Sequence, residues 1–86
     1  MEKLEGIIVR SKAGRDKGDL FVILKEEDEY VYIANGELRK VDRPKKKKLK
    51  HLQLTGYKSE FIAAKLVAGG VTNREVRKAL AEYSEK

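Results

Sequence analysis

Tyr30-Val31-Tyr32-Ile33-Ala34-Asn35-Gly36-Glu37-Leu38-Arg39-Lys40-Val41 is the stretch whose reading sets the fold. Its first five residues are aromatic, β-branched or small. Successive side chains of a strand point to opposite faces, so Tyr30 and Tyr32 share one face and Val31 and Ile33 the other. Asn35-Gly36 offers the positive φ angles of a type I′ turn, and the spacing predicts a hairpin in which residues 30–34 pair with residues 37–41. Pro44 has no N–H to donate and is expected to end that second strand or mark a sheet edge.

Upstream, Ile7-Ile8-Val9 is an apolar run bounded by Gly6 and the polar Arg10-Ser11, and residues 12–18 have the composition of a loop. Leu20-Phe21-Val22-Ile23-Leu24 has no polar face, which suggests a strand buried on both sides. Glu26-Glu27-Asp28-Glu29 reads as an acidic turn. Downstream, residues 45–48 lead into Leu49-Lys50-His51-Leu52-Gln53-Leu54, a short fifth strand. From Lys58 the apolar spacing becomes helical. Phe61, Ile62, Lys65 and Leu66 mark one helix, stopped at Gly69-Gly70. Thr72-Asn73-Arg74-Glu75 has the form of a capping box, Val71 and Val76 suit a hydrophobic staple, and Val76, Ala79, Leu80 and Tyr83 form the stripe of a second helix. The expected fold is mainly β: a small, partly open barrel of about five strands in residues 1–56, with two short helices in residues 57–86 covering one face.

At 86 residues the chain has room for one core. It contains no cysteine, which removes disulfides and cysteine-ligated metals from consideration. No apolar run approaches the roughly 18 residues of a membrane span, and the charged start Met1-Glu2-Lys3-Leu4-Glu5 does not read as a signal peptide. A cytoplasmic protein without membrane or small-molecule partners is expected. The parts needed for catalysis are scarce. His51 has no sequence partner, and the acids of residues 26–29 alternate in direction and so would not converge on one ion. Gly14 and Gly18 lack the Gly-Lys-Ser/Thr ending of a P-loop, and Ser11, Thr55, Ser59 and Ser84 have no base beside them. A non-enzyme without cofactor or metal is expected.

The net charge is +6, and its placement is uneven. Residues 39–51 hold eight basic side chains against one acid, which is +7 and leaves −1 for the rest of the chain. Such a concentration attracts polyanions; alternatively it is a solvated loop kept basic for solubility.

Residues 6–23, Gly-Ile-Ile-Val-Arg-Ser-Lys-Ala-Gly-Arg-Asp-Lys-Gly-Asp-Leu-Phe-Val-Ile, resemble the KOW motif of strand, glycine-bearing loop and strand. Gly14 matches its central glycine, and Arg15-Asp16-Lys17-Gly18 matches an extension common in ribosomal members. With the segment 35–41 and the lysines after Pro44, the likeness extends to about Leu54, a little over half the chain. It covers KOW-containing large-subunit ribosomal proteins of archaeal and eukaryotic type and short stand-alone bacterial relatives. The resemblance implies an SH3-like barrel that binds RNA, with ribosomal RNA the expected class and ribosomal proteins as further partners. It does not reach the two C-terminal helices.

The residues agree with that implication. A glycine loop lets backbone approach phosphate, and Lys12, Arg15 and Lys17 flank Gly14. Arg39, Lys40, Arg43, Lys45, Lys46, Lys47, Lys48 and Lys50 suit a sequence-independent hold on a nucleic-acid backbone. Asp16 either pairs with Arg15 to organise the loop or leaves it free. Tyr30 and Tyr32 either pack or stack on unpaired bases. The competing assignment is a protein-binding adaptor of the translation or transcription machinery, because SH3-like barrels also dock peptides.

Overall fold

The computed structural model describes residues 3–85. Five antiparallel strands, β1 (Ile7–Ser11), β2 (Leu20–Glu27), β3 (Tyr30–Ala34), β4 (Lys45–Lys48) and β5 (Leu52–Lys58), form one sheet in the order β4-β3-β2-β1-β5. A 3₁₀ turn, Leu49–His51, joins β4 to β5, and two helices follow, α1 (Glu60–Ala68) and α2 (Asn73–Ser84). The expected class, mainly β with two C-terminal helices, is the observed one.

The sheet curls, because side chains from strands far apart in its order share one cluster. Ile7, Val9, Phe21, Ile23, Val31, Ile33 and Leu52 pack together on the inner face, with Leu4 and Leu49 against them. The alternate residues Ile8 and Val22 face outward and meet Ile62 of α1 and Val76 and Ala79 of α2. Ile7-Ile8-Val9 of β1 and Phe21-Val22-Ile23 of β2 are therefore buried on both sides, which is why these runs lack a polar face. The curl does not close. β4 and β5 are the two ends of the sheet order and do not pair with each other.

The helices are placed by their caps. Ser59 accepts from the Ile62 N–H at the start of α1. Thr72 and Glu75 form the expected capping box on α2: Thr72 Oγ1 accepts from the Glu75 N–H at 3.2 Å, and Glu75 Oε1 accepts from the Thr72 N–H at 2.9 Å. The bond from the Thr72 N–H, helped by the Thr72 hydroxyl and Lys65, outweighs the opposing effect of desolvation and holds the Glu75 carboxyl below its usual range. Val71 and Val76 join the same outer cluster, as a staple requires. Tyr83 meets Tyr57 with ring centroids 5.5 Å apart, fastening the end of α2 to β5.

Three local expectations are corrected. Asn35-Gly36 does not turn a hairpin, and residues 37–41 are not a strand. Asn35 Oδ1 instead accepts from the N–H groups of Glu37 and Arg39, and the Arg39 carbonyl accepts from Asn35 and Gly36, so the segment folds as a wide loop. The partner of β3 is the lysine run, with Tyr30 opposite Lys48, Val31 opposite Lys47, Tyr32 opposite Lys46 and Ile33 opposite Lys45. Pro44 does not end a strand but leads into β4, which is an edge of the sheet, the other place expected for it. The acidic turn shrinks to Asp28-Glu29, with Asp28 at a φ of 55°, because Glu26 and Glu27 remain in β2 opposite Val31 and Tyr30. The fifth strand starts and ends later than expected. Residues 49–51 form the 3₁₀ turn, and β5 continues through Thr55, whose hydroxyl donates to the Ile8 carbonyl at 2.7 Å.

Candidate nucleic-acid interface

Because β4 is a strand, its four lysines alternate. Lys45 and Lys47 share the inward face with Ile33 and Val31, and Lys46 and Lys48 share the outward face with Tyr32 and Tyr30. The inward pair meets the loop between β1 and β2. Lys47 Nζ donates to Ser11 Oγ at 2.6 Å, to the Ala13 carbonyl at 3.0 Å and to Asp16 Oδ1 at 2.9 Å. Those bonds use all three of its N–H groups, and its side chain is only 9% exposed. Lys45 Nζ holds the other carboxylate oxygen, Asp16 Oδ2, at 3.0 Å. The Ser11 hydroxyl donates to Asp16 Oδ1 at 2.7 Å. Burial pushes the Asp16 carboxyl up, but the bonds from Lys47, Ser11 and Lys45 and the charge of Lys47 outweigh it and hold the group well below the usual carboxylate range. Ser11 pairs with Leu52 of β5 at the far side of the opening. Side chains thus stitch β4 across the seam that backbone pairing leaves open.

Asp16 does organise the loop, through Lys45 and Lys47 and not through Arg15. Backbone bonds complete the frame: Ser11 N–H to the Asp19 carbonyl, Gly18 N–H to the Ser11 carbonyl, Lys17 N–H to the Gly14 carbonyl, and Lys12 N–H to the His51 carbonyl. Gly14 sits at a φ of 88°, a conformation that side chains resist, and an added Cβ would find room, its nearest neighbour being Asp16 Oδ1 at 3.6 Å. Gly14→Ala is therefore expected to cost backbone strain alone, about 1–2 kcal/mol. Urea unfolding of the variant checks this, and a wild-type midpoint would mean the loop glycine is incidental.

The remaining basic candidates divide by what already engages them. Among the described residues, no ion pair or side-chain hydrogen bond engages Lys12, Arg15, Lys17, Arg39, Arg43 or Lys50, all of them exposed. Lys40 Nζ donates to the Glu37 carbonyl at 2.9 Å. Lys46 lies 3.6 Å from Glu27, and both Lys46 and Lys48 stand over tyrosine rings. Arg15, Arg39 and Lys45 come together on one groove of about 370 Å³, formed where the β1–β2 loop, the β3–β4 loop and β4 meet, with Asp19 and Leu38 also on its walls. Lys12 adjoins the 3₁₀ turn that carries Lys50, through its backbone bond to His51. The structure thus brings Arg15, Arg39 and Lys45 to one groove, sets Lys12 beside the 3₁₀ turn of Lys50, removes Lys47 from the exposed set, and puts Lys46 and Lys48 on a separate outer face.

Two features were not legible as site residues. Ser11 has no sequence signal for its role, and Asp16 was readable as a loop organiser only with Arg15 as its partner, because the lysines that hold both lie in a different strand. The lysine run also has structural uses, because lysines on an edge strand discourage pairing with another chain. Among the described residues no group of three or more His, Asp or Glu could hold a metal ion, and no helix is long and apolar enough to cross a membrane. No protein-family model matches the chain, and no curated protein sequence does either.

Proposed function

We propose that this chain is a KOW-type RNA-binding module of the cytoplasm, working on ribosomal RNA within the ribosome or its assembly. The observation that carries the proposal is the clamp at Asp16. It fixes the glycine loop against β4 and so sets Arg15 beside Lys45, on a groove that Arg39 of the β3–β4 loop also lines. A cationic surface on a backbone already held in place binds with less ordering cost than the same charges on a mobile loop. Lys12, Lys17, Arg43 and Lys50, also without an acid partner among the described residues, suit phosphate contacts that ignore base identity. The strand–loop–strand from β1 to β2, with Gly14 at positive φ, has the form that the KOW resemblance calls for. RNA is preferred to DNA on that resemblance, and ribosomal proteins are the further partners it suggests.

The test is the salt dependence of binding to ribosomal RNA fragments. Lys12→Gln, Arg15→Gln and Arg39→Gln together remove three phosphate contacts, so the log–log slope should flatten by roughly 2 to 3 and affinity should fall across many sequences alike. Lys3→Gln, Arg74→Gln and Lys78→Gln remove the same charge elsewhere and should leave most of the slope in place. Equal losses in the two triple variants would show a general charge effect with no site. Unchanged affinity in both would move the adaptor assignment ahead.

A further inference from the structure

The outer face of β2, β3 and β4 carries a feature that the basic groove does not use. Tyr30 and Tyr32 stand two residues apart on β3, both half-buried, with Lys46 and Lys48 across from them on β4 and Lys25 and Glu27 on β2. Lys46 Nζ lies 4.7 Å from the Tyr30 ring centroid and 5.9 Å from that of Tyr32. Lys48 lies 5.8 Å from Tyr30, and Lys25 lies 5.6 Å from Tyr32. Glu27 lies among these cations: it accepts from the Tyr32 hydroxyl at 3.3 Å and pairs loosely with Lys46. Beside Tyr32 the surface falls into a mainly apolar recess of about 430 Å³, walled by Leu24, Val41, Pro44, Leu66 and Val71. Asp42 and Lys25 also line it.

This combination is specific in what it fits. An ammonium over an exposed ring is held weakly and is free to turn toward a stronger partner. Each ring then offers its face to a flat, apolar group, and the released lysine offers charge to an anion next to that group. Lys46 and Lys48 are about 7 Å apart along the strand, on the order of the separation of neighbouring phosphates in one nucleic-acid strand. The carboxylate of Asp42 makes the recess unsuited to a phosphate itself but not to a base edge bearing N–H groups. A duplex keeps its bases stacked on one another and could offer the rings nothing.

We infer that this outer face binds unpaired nucleobases, which stack on Tyr30 and Tyr32 and enter the recess beside Tyr32, while Lys25, Lys46 and Lys48 pair with the flanking phosphates. The inference rests on the RNA reading above and narrows its substrate class to single-stranded or bulged RNA.

Two measurements test it, using an oligouridine and an RNA duplex matched in length and charge. The wild type should bind the oligouridine more tightly than the duplex. Tyr30→Leu with Tyr32→Leu should weaken oligouridine binding at least about tenfold and duplex binding hardly at all, while the corresponding Phe variant keeps both. Because a leucine variant could be unstable, the second measurement uses the unaltered protein: a 5-bromouridine oligonucleotide should photocrosslink to Tyr30 or Tyr32. Crosslinks confined to the β1–β2 loop, or leucine variants that bind both RNAs as the wild type does, would overturn the inference and leave the RNA reading standing. Failure of the wild type to bind either RNA would overturn both.

Discussion

Gly36→Ala is expected to lower the melting temperature by roughly 15 °C, from a loss of about 3 kcal/mol. Gly36 sits at a φ of 79°, and an added Cβ would lie 2.5 Å from the Asn73 carbonyl oxygen and 2.8 Å from Arg77 Cγ. The arginine can swing aside. The carbonyl cannot, because it belongs to the first turn of α2, which is seated by buried Val76 and Ala79. Moving the loop instead would break two bonds that dock it there: Arg77 to the Gly36 carbonyl at 2.7 Å, and the Val41 N–H to Asn73 Oδ1 at 2.8 Å. Strain of about 1–2 kcal/mol for the left-handed backbone then adds to the loss of these bonds. Gly14→Ala carries the strain without the collision. Thermal melts of the two variants should therefore differ by about 1.5- to threefold in the size of the drop, with Gly36→Ala the larger. Equal drops would mean that the β3–β4 loop does not lean on α2.

The same contact explains where the sequence was legible and where it was not. Runs such as Ile7-Ile8-Val9 and Leu20-Phe21-Val22-Ile23-Leu24 announce their strands because burial on both faces leaves them no polar position. The capping box at Thr72 and Glu75 is local, so four residues suffice to read it. Asn35-Gly36 is different. A type I′ turn would put both residues at positive φ, but here Gly36 alone takes it while the Asn35 side chain closes a wide loop, and the choice is made by contacts with Asn73 and Arg77, far along the chain. The lysine strand was illegible for a related reason. Lysine has little tendency toward strands, and nothing in four successive lysines marks which face is inward. What aligns them is external: Val31 and Ile33 opposite, and an aspartate in another loop. The basic residues from Arg39 to Lys50 were found from charge, and Lys12, Arg15 and Lys17 from their place around Gly14, but neither reading could separate Lys47, whose donors are all committed, from Arg15 and Arg39, whose donors are not.

Asp16→Asn should destabilise the protein by about 2–3 kcal/mol at neutral pH. Removing one member of a fully buried ion pair costs about 3–5 kcal/mol. Here the figure is reduced because solvent still reaches the group: the side chains of Lys45, Asp16 and Lys47 are 31%, 14% and 9% exposed. The pH dependence has a definite sign. The folded protein holds the Asp16 carboxyl below its unfolded value, so its contribution is complete above about pH 4 and is lost as pH falls from there. Asparagine does not titrate, so the gap in unfolding free energy between wild type and variant should be widest near neutrality and should shrink steadily below about pH 4. A gap that stays constant into acid would show that the carboxylate is not what the lysines hold. RNA binding gives an independent reading of the same residue. The substitution raises the net charge above +6, which by long-range attraction alone would strengthen binding to a polyanion. If the clamp instead fixes the loop that presents Lys12, Arg15 and Lys17, affinity should fall despite the added positive charge. Tighter binding by Asp16→Asn would mean that the loop needs no fixing for RNA to bind.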